Sequence, residues 1–148
     1  MIPKIFLDTN IILDILLQRP GYEDSTRILQ AGERGLLHLC CSYLTMANIA
    51  FILRKTVGKA ALVPSLLQIQ SLIEVLPMDV EQLRVSFWID GRDFEDILQA
   101  VCAAKAGCTA IVTNNIKDFH LKLSAESSAC HLPLPPAITP SALLAELS

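Results

Sequence analysis

Three well-separated stretches of the 148-residue chain carry the side chains best suited to chemistry. Asp8 closes the apolar run Lys4-Ile5-Phe6-Leu7. Asp93, Glu95 and Asp96 open a helical pattern, and Asn114, Asn115 and Asp118 follow the apolar run Ala110-Ile111-Val112. In an open parallel sheet, ligands bind in the crevice beyond the carboxyl ends of the strands, so one sheet edge would collect several carboxylates. Such a cluster is unfavourable alone, because neighbouring like charges resist simultaneous ionisation. A divalent cation reverses that cost. Mg²⁺ prefers oxygen ligands, keeps much of its water and takes one or two protein carboxylates, leaving positions for a phosphate and a water. Polarising a phosphoryl group, acidifying a bound water and stabilising the leaving oxygen then allow phosphodiester hydrolysis without a His or Cys nucleophile.

Each acid also has a purely structural use. Asp8, Thr9 or Asn10 can cap the first helix, Asp93, Glu95 and Asp96 can complement the dipole of theirs, and Asp118 can form an Asx-turn. Asp14, inside the first helix, reads as structural. Joint placement at one edge, rather than any single acid, carries the metal hypothesis. Other chemistries find less support. His38, His120 and His131 show no HExxH or other ligand spacing. Cys40, Cys41, Cys102, Cys108 and Cys130 form neither a disulfide framework nor a CxxC pattern, and read as reduced core thiols.

The elements that must position these residues alternate. Lys4 to Leu7 reads as a strand feeding a helix over Ile11 to Leu17, which Pro20-Gly21 closes. A helix from Tyr22 to Arg34 stops at Gly35, and Leu36 to Cys41 reads as a buried strand. Ser42 can cap a helix over about 43–55, with Leu44, Ala47, Ile49, Phe51 and Ile52 as its apolar side. Another helix covers about 59–69, starting near Pro64 or kinked by it. Ile73 to Leu76 is a strand, and Asp79 can cap a short helix carrying Val80, Leu83 and Phe87. The clearest helix runs from Asp93 to Gly107, with Ile97, Leu98, Val101, Cys102 and Ala104 at helical spacing. Strand Ala110 to Val112, a polar loop over 113–119, a linker through Pro133-Leu134-Pro135-Pro136 and a last helix capped near Thr139 or Ser141 complete the chain. This alternation predicts an α/β fold: one domain over 1–148, with a mostly parallel central sheet, helices on both faces, and 133–148 as a C-terminal linker and helix.

Composition narrows the class. Hydrophobic residues make up 52% of the chain and charged ones 18%, which is ample for a core and excludes disorder as the main state. Mean hydropathy is +0.46, yet no apolar run approaches the roughly 20 residues a bilayer requires. Asp8, Asn10 and Asp14 interrupt the N-terminal segment that would otherwise resemble a signal peptide. A cytoplasmic protein with no membrane span is therefore expected. The net charge of −3 does not attract polyanions, so a nucleic-acid substrate needs local cations or a bound metal.

These residues resemble a known family. Ile5-Phe6-Leu7-Asp8-Thr9-Asn10-Ile11-Ile12, Ser42-Tyr43-Leu44-Thr45-Met46-Ala47-Asn48-Ile49, Asp93-Phe94-Glu95-Asp96-Ile97-Leu98-Gln99-Ala100 and Ile111 to Phe119 are similar, in order and spacing, to the PIN-domain nucleases. The small VapC-like toxins of bacterial toxin–antitoxin pairs are the nearest in pattern. The resemblance spans nearly the whole chain and implies a Rossmann-like sheet and a Mg²⁺- or Mn²⁺-dependent endoribonuclease. By that likeness Asp8 matches the first metal-binding acid and Asp96 the acid opening the later helix, with Asp93 a neighbour able to share the role. The fourth acid falls on Asn115 or Asp118, of which Asp118 keeps the carboxylate, and Thr113 matches a hydroxyl that orients an acid or a water. The second acid of the pattern is replaced by Asn48. An amide oxygen can still ligate Mg²⁺, but it brings no charge, so weaker cation affinity is expected.

The resemblance also implies an RNA substrate, a small antitoxin whose segment occupies the groove, and a homodimer. Arg19, Arg54, Lys55, Lys59, Arg92 and Lys117 are candidate phosphate contacts, and only Arg92 and Lys117 stand beside the acidic motifs in sequence. Trp88 and Phe119 could stack on bases, although a core role is expected for both. The competing reading is a PIN-like binding or scaffold module whose turnover is weakened by Asn48. A phosphatase with Asp8 as covalent nucleophile fits poorly, because the second Asp of that pattern is Asn10 here.

Overall fold

The computed structural model describes residues 1–123 and 132–148. The chain runs β1 (Lys4–Leu7), α1 (Thr9–Leu17), α2 (Tyr22–Glu33), β2 (His38–Ser42), α3 (Tyr43–Leu53), α4 (Lys59–Leu72), β3 (Glu74–Leu76) and α5 (Val80–Ser86). It continues through β4 (Ile89–Asp90), α6 (Phe94–Lys105), β5 (Ala110–Val112), a 3-10 turn (Ile116–Phe119), β6 (Lys122–Leu123), β7 (Ala137–Ile138) and α7 (Pro140–Leu147). Five strands form one sheet in the order β3-β2-β1-β5-β7, and every neighbouring pair in it is parallel. β4 and β6 form a separate antiparallel pair.

Helices cover both faces, as the alternation predicts. The strand side chains divide with period two, as a pleat requires. Ile5, Leu7, Leu39, Cys41, Ala110 and Val112 join the core under α1, α2, α3, α4 and α7, whereas Phe6, Cys40 and Ile111 join the core under α6. The strands are apolar on both sides because both faces are buried. Cys40, Cys41, Cys102 and Cys108 are free and buried, and burial pushes the thiols of Cys41 and Cys102 up to about 12. Cys130 and His131 lie outside the described residues.

Several expectations need correction. The tail after Pro136 is not linker and helix alone, because Ala137–Ile138 adds an edge strand whose neighbour Pro136 accepts a hydrogen bond from the Ile111 N–H at 2.9 Å. A proline just before a short edge strand is sterically allowed, and a two-residue strand leaves no periodicity to read. The polar loop after β5 winds into the 3-10 turn. α4 runs through Pro64 from Lys59 to Leu72, at the cost of one backbone bond. Ala47 and Phe51 are exposed on α3, whose inward side is Thr45, Ile49 and Leu53; apolar residues surround that helix, so sequence alone does not select a face. Val80, Leu83, Phe87 and Trp88 are also exposed, so the core role expected of Trp88 does not hold, whereas Phe119 packs against the core beneath α6. Among the described residues no helix is long and apolar enough to cross a membrane.

Candidate active site

β1 is the central strand, and Asp8 is the first residue beyond its carboxyl end. The Asp8 N–H still bonds the Val112 carbonyl at 3.0 Å, which anchors the backbone to β5. Its side chain makes no capping bond to α1. Instead the Thr113 hydroxyl donates to Asp8 Oδ2 at 2.8 Å and accepts the Asn115 N–H at 2.9 Å. Thr113 is fully buried and Asp8 nearly so. Burial raises the Asp8 carboxyl above its usual range; the Thr113 hydrogen bond opposes this, and the charges of Asp118 and Glu95 add to it.

α6 brings the second group. Asp93 is its N-cap, accepting the Glu95 N–H at 2.8 Å, so the capping use is realised there. Asp96, one turn in, is pushed up to about 7, first by burial and then by the like charges of Asp8, Asp93, Asp118 and Glu95. The loop after β5 brings the third group: Asn115 precedes the 3-10 turn and Asp118 lies within it, and Asp118 Oδ1 lies 3.8 Å from Arg92 Nη1. Asn48 comes from α3 and donates through its amide to Glu95 Oε1.

These parts enclose a pocket of about 360 Å³ lined by Asp8, Asn48, Asp93, Glu95, Asp96, Asn115 and Asp118, together with Thr9, Asn10, Phe51 and Ile52. A larger depression of about 540 Å³ lies at the opposite, amino-terminal edge of the sheet and is walled mainly by Ile5, Leu37, Ala110, Ile138 and Leu143; its apolar wall offers no such chemistry. Of the residues singled out in sequence, Thr113 sits behind Asp8 rather than on the pocket wall, and Arg92 and Lys117 do not line the pocket. Asp14 is held by Asn114 Nδ2 at 3.3 Å and Arg19 at 3.7 Å, in keeping with its structural reading.

Three features escape the sequence. Buried Gln99 accepts hydroxyl bonds from Ser42 at 2.7 Å and Thr45 at 3.0 Å, which ties α6 to the capping box of α3. The second is the stacking of two of the phosphate-contact candidates: Arg54 and Lys55 gather over the ring of Phe51, 4.4 and 5.0 Å from its centroid, and Phe51 lines the pocket. Finally, His38 is not without ligand-type neighbours. Its Nε2 lies 2.6 Å from Glu74 Oε2, which Cys40 Sγ approaches at 3.6 Å and Lys4 Nζ at 3.9 Å. His38, Cys40 and Glu74 are the one grouping of three such ligand atoms within 4.8 Å among the described residues. It sits at the amino-terminal ends of the strands, and Lys4 already offsets its charge. Among the described residues, no three of the pocket acids bring their oxygens within 4.8 Å of one another. An oxygen-rich lining and carboxylates that resist joint ionisation fit a divalent cation that keeps part of its hydration shell.

Fold and pocket together define a class: a parallel-sheet protein in which acids from three chain segments gather beyond the carboxyl ends of the central strands. The family model described as the PIN domain matches residues 4–117, and the chain belongs to the PIN domain family. It is similar to Ribonuclease VapC1 of Aquifex aeolicus (strain VF5), 29% identical over 126 residues that cover 79% of this chain and 84% of that protein. Among solved structures it is similar to DNA-bound VapBC of Salmonella typhimurium, with a TM-score of 0.67, 20% identity and coverage of 94% and 99% of the two chains. It is also similar to VapBC2 of Rickettsia felis bound to a promoter DNA fragment, with a TM-score of 0.65, 18% identity and coverage of 92% and 98%.

Proposed function

We propose that this chain is an endoribonuclease, the toxin of a toxin–antitoxin pair, and that it hydrolyses RNA phosphodiester bonds with Mg²⁺ or Mn²⁺. The observation that carries the reading is the meeting of Asp8 and Asp96, 88 residues apart in sequence, in one pocket where the Asp8 charge adds to the rise of the Asp96 carboxyl. Membership of the PIN family and likeness to a protein named as a ribonuclease support it.

Asp8 and Asp96, with Asp118 and Asp93, are the residues that would hold the cation. When bound, it supplies charge neutralisation, polarises the scissile phosphate and acidifies a water. Thr113 fixes the Asp8 carboxylate through a hydrogen bond that also shapes the Asn115 turn. Asn48 and Asn115 present amide groups for orienting water or phosphate. Arg92 and Lys117, joined by Arg54 and Lys55, offer positive charge for flanking phosphates, and the exposed Phe51 ring offers a surface for a base.

RNA as substrate places the action in the cytoplasm. A small antitoxin and a second copy of this chain are the proposed partners: the similar solved structures are named as VapBC assemblies, and Phe87, Trp88 and Phe94 leave apolar surface for contact.

The test is digestion of a structured RNA with and without EDTA, followed by Mn²⁺ add-back and the Asp8→Asn variant. Cleavage that EDTA abolishes, Mn²⁺ restores and Asp8→Asn lacks is the expected result. Asn48 favours a second reading, a binding module without turnover; RNA binding with no cleavage under any metal condition would establish it and end the nuclease reading.

A further inference from the structure

The sequence leaves a gap in the acidic set at Asn48, and the structure shows what stands beside it. Glu95 lies at the second position of α6, directly before Asp96, and lines the same pocket. Its Oε1 accepts the Asn48 amide across a separation of 47 residues. A carboxylate has no N–H to give, so this contact fixes the orientation of the Asn48 side chain: its NH₂ is turned to Glu95. Asn48 therefore acts first as a clamp on Glu95. The pocket wall holds five carboxylates, Asp8, Asp93, Glu95, Asp96 and Asp118, so the charge missing at position 48 is present nearby.

Resting on the nuclease reading of this pocket, we propose that Glu95 supplies the carboxylate that Asn48 lacks, held in place by the Asn48 amide and directed at the same cation as Asp8 and Asp96. Four observations argue for this over a helix-end charge with no further use. The dipole of α6 is already served by Asp93, whose carboxylate caps the helix through the Glu95 N–H. Glu95 points toward α3, where an i, i+4 partner on its own helix would not take it. It lines the same pocket as both Asp8 and Asp96. Successive helical positions project about 100° apart, yet Glu95 and Asp96 both line the pocket, Glu95 from beside Asn48 of α3. The lower site charge expected from Asn48 is thereby offset.

Mn²⁺ binding to the metal-free full chain, followed by the electron paramagnetic resonance signal of free Mn²⁺, tests this without reference to turnover. Glu95→Gln keeps the shape and the contact to Asn48, and it should weaken Mn²⁺ binding about tenfold or more. Asn48→Asp in the Glu95→Gln background should recover most of that loss, because it returns a carboxylate to the same gap. Asp8→Asn is the control for the pocket as a whole. Wild-type affinity in Glu95→Gln together with loss in Asp8→Asn overturns the Glu95 proposal and leaves the nuclease reading standing. Wild-type affinity in both removes the pocket as the metal site. Weakening in Glu95→Gln with no recovery in the double variant shows that residue 48 cannot stand in for Glu95, and overturns the shared-gap argument. Melting curves of each metal-free variant verify that it is folded.

Discussion

Replacing Asp96 by Asn should stabilise the metal-free protein, and only above a defined pH. The folded-state carboxyl of Asp96 stands at about 7 against an ordinary 3.8. At about 1.4 kcal/mol per tenfold change in proton affinity, the full difference is worth ~4 kcal/mol. Asp96 is only half-buried, and water and salt reduce this to about 1–2 kcal/mol. In this window the folded state binds more protons than the unfolded one, so stability falls as pH rises from about 4 and levels off above about 7. Asn carries no such charge. Urea unfolding should therefore find Asp96→Asn equal to wild type near pH 4 and about 1–2 kcal/mol more stable at pH 8. In melting temperature that is about 2–8 °C for a chain of this size. Saturating Mn²⁺ should reverse the order at pH 8, because only the wild type gains the full counter-charge. A difference between the two proteins that does not vary with pH, or a variant less stable at pH 8 without metal, would refute the claim that crowded carboxylates shape this pocket.

Thr113→Val removes the donor to Asp8 Oδ2 and the acceptor for the Asn115 N–H; a stability loss of about 1–3 kcal/mol and a further rise of the Asp8 carboxyl, followed by NMR titration, are expected. Gln99→Leu leaves the Ser42 and Thr45 hydroxyls without their shared acceptor and should cost about 1–3 kcal/mol, read by urea midpoint, with the α3 capping box retained. At Gly91 a Cβ would stand 2.5 Å from Leu121 Cδ2, the end of a flexible side chain, and 3.1 Å from Ile97 Cγ1, so both side chains must shift to admit it. Gly91→Ala should lower stability by about 1 kcal/mol, read by urea midpoint, and the shift of Ile97 should show as chemical-shift changes at its neighbour Asp96.

What could be read from the sequence was local. Asp8 after an apolar run, Ser42 ahead of α3 and Asp93 ahead of α6 announce themselves because a strand end or a cap is set by neighbours in the chain. The parallel order of strands follows from their separation by helices. What could not be read was contact at a distance. Gln99 sits within a recognisable motif, yet its partners Ser42 and Thr45 are more than 50 residues away, and nothing in its own surroundings marks it as buried. Glu95 reads as one more acid at a helix start until α3 places Asn48 against it. Arg54 and Lys55, named in sequence as phosphate-contact candidates, stand far from the acidic motifs in the chain, and only the fold sets them over the Phe51 ring that lines the pocket. β7, two residues long among prolines, has no pattern of its own and exists because β5 offers it an edge.

That edge strand carries a consequence for biosynthesis. The Thr113 N–H donates to the Ile138 carbonyl at 2.9 Å, so the residue that steadies Asp8 is itself braced by a strand made after β1 and β5. During translation, β1, β2, β3 and β5 leave the ribosome before β7 does, and the floor beneath Asp8 closes only when residues 137–138 have emerged. A nascent chain that has not yet extended past residue 138 thus carries every acid of the pocket without the brace on Thr113, and a destructive activity of the proposed kind would mature only after that point.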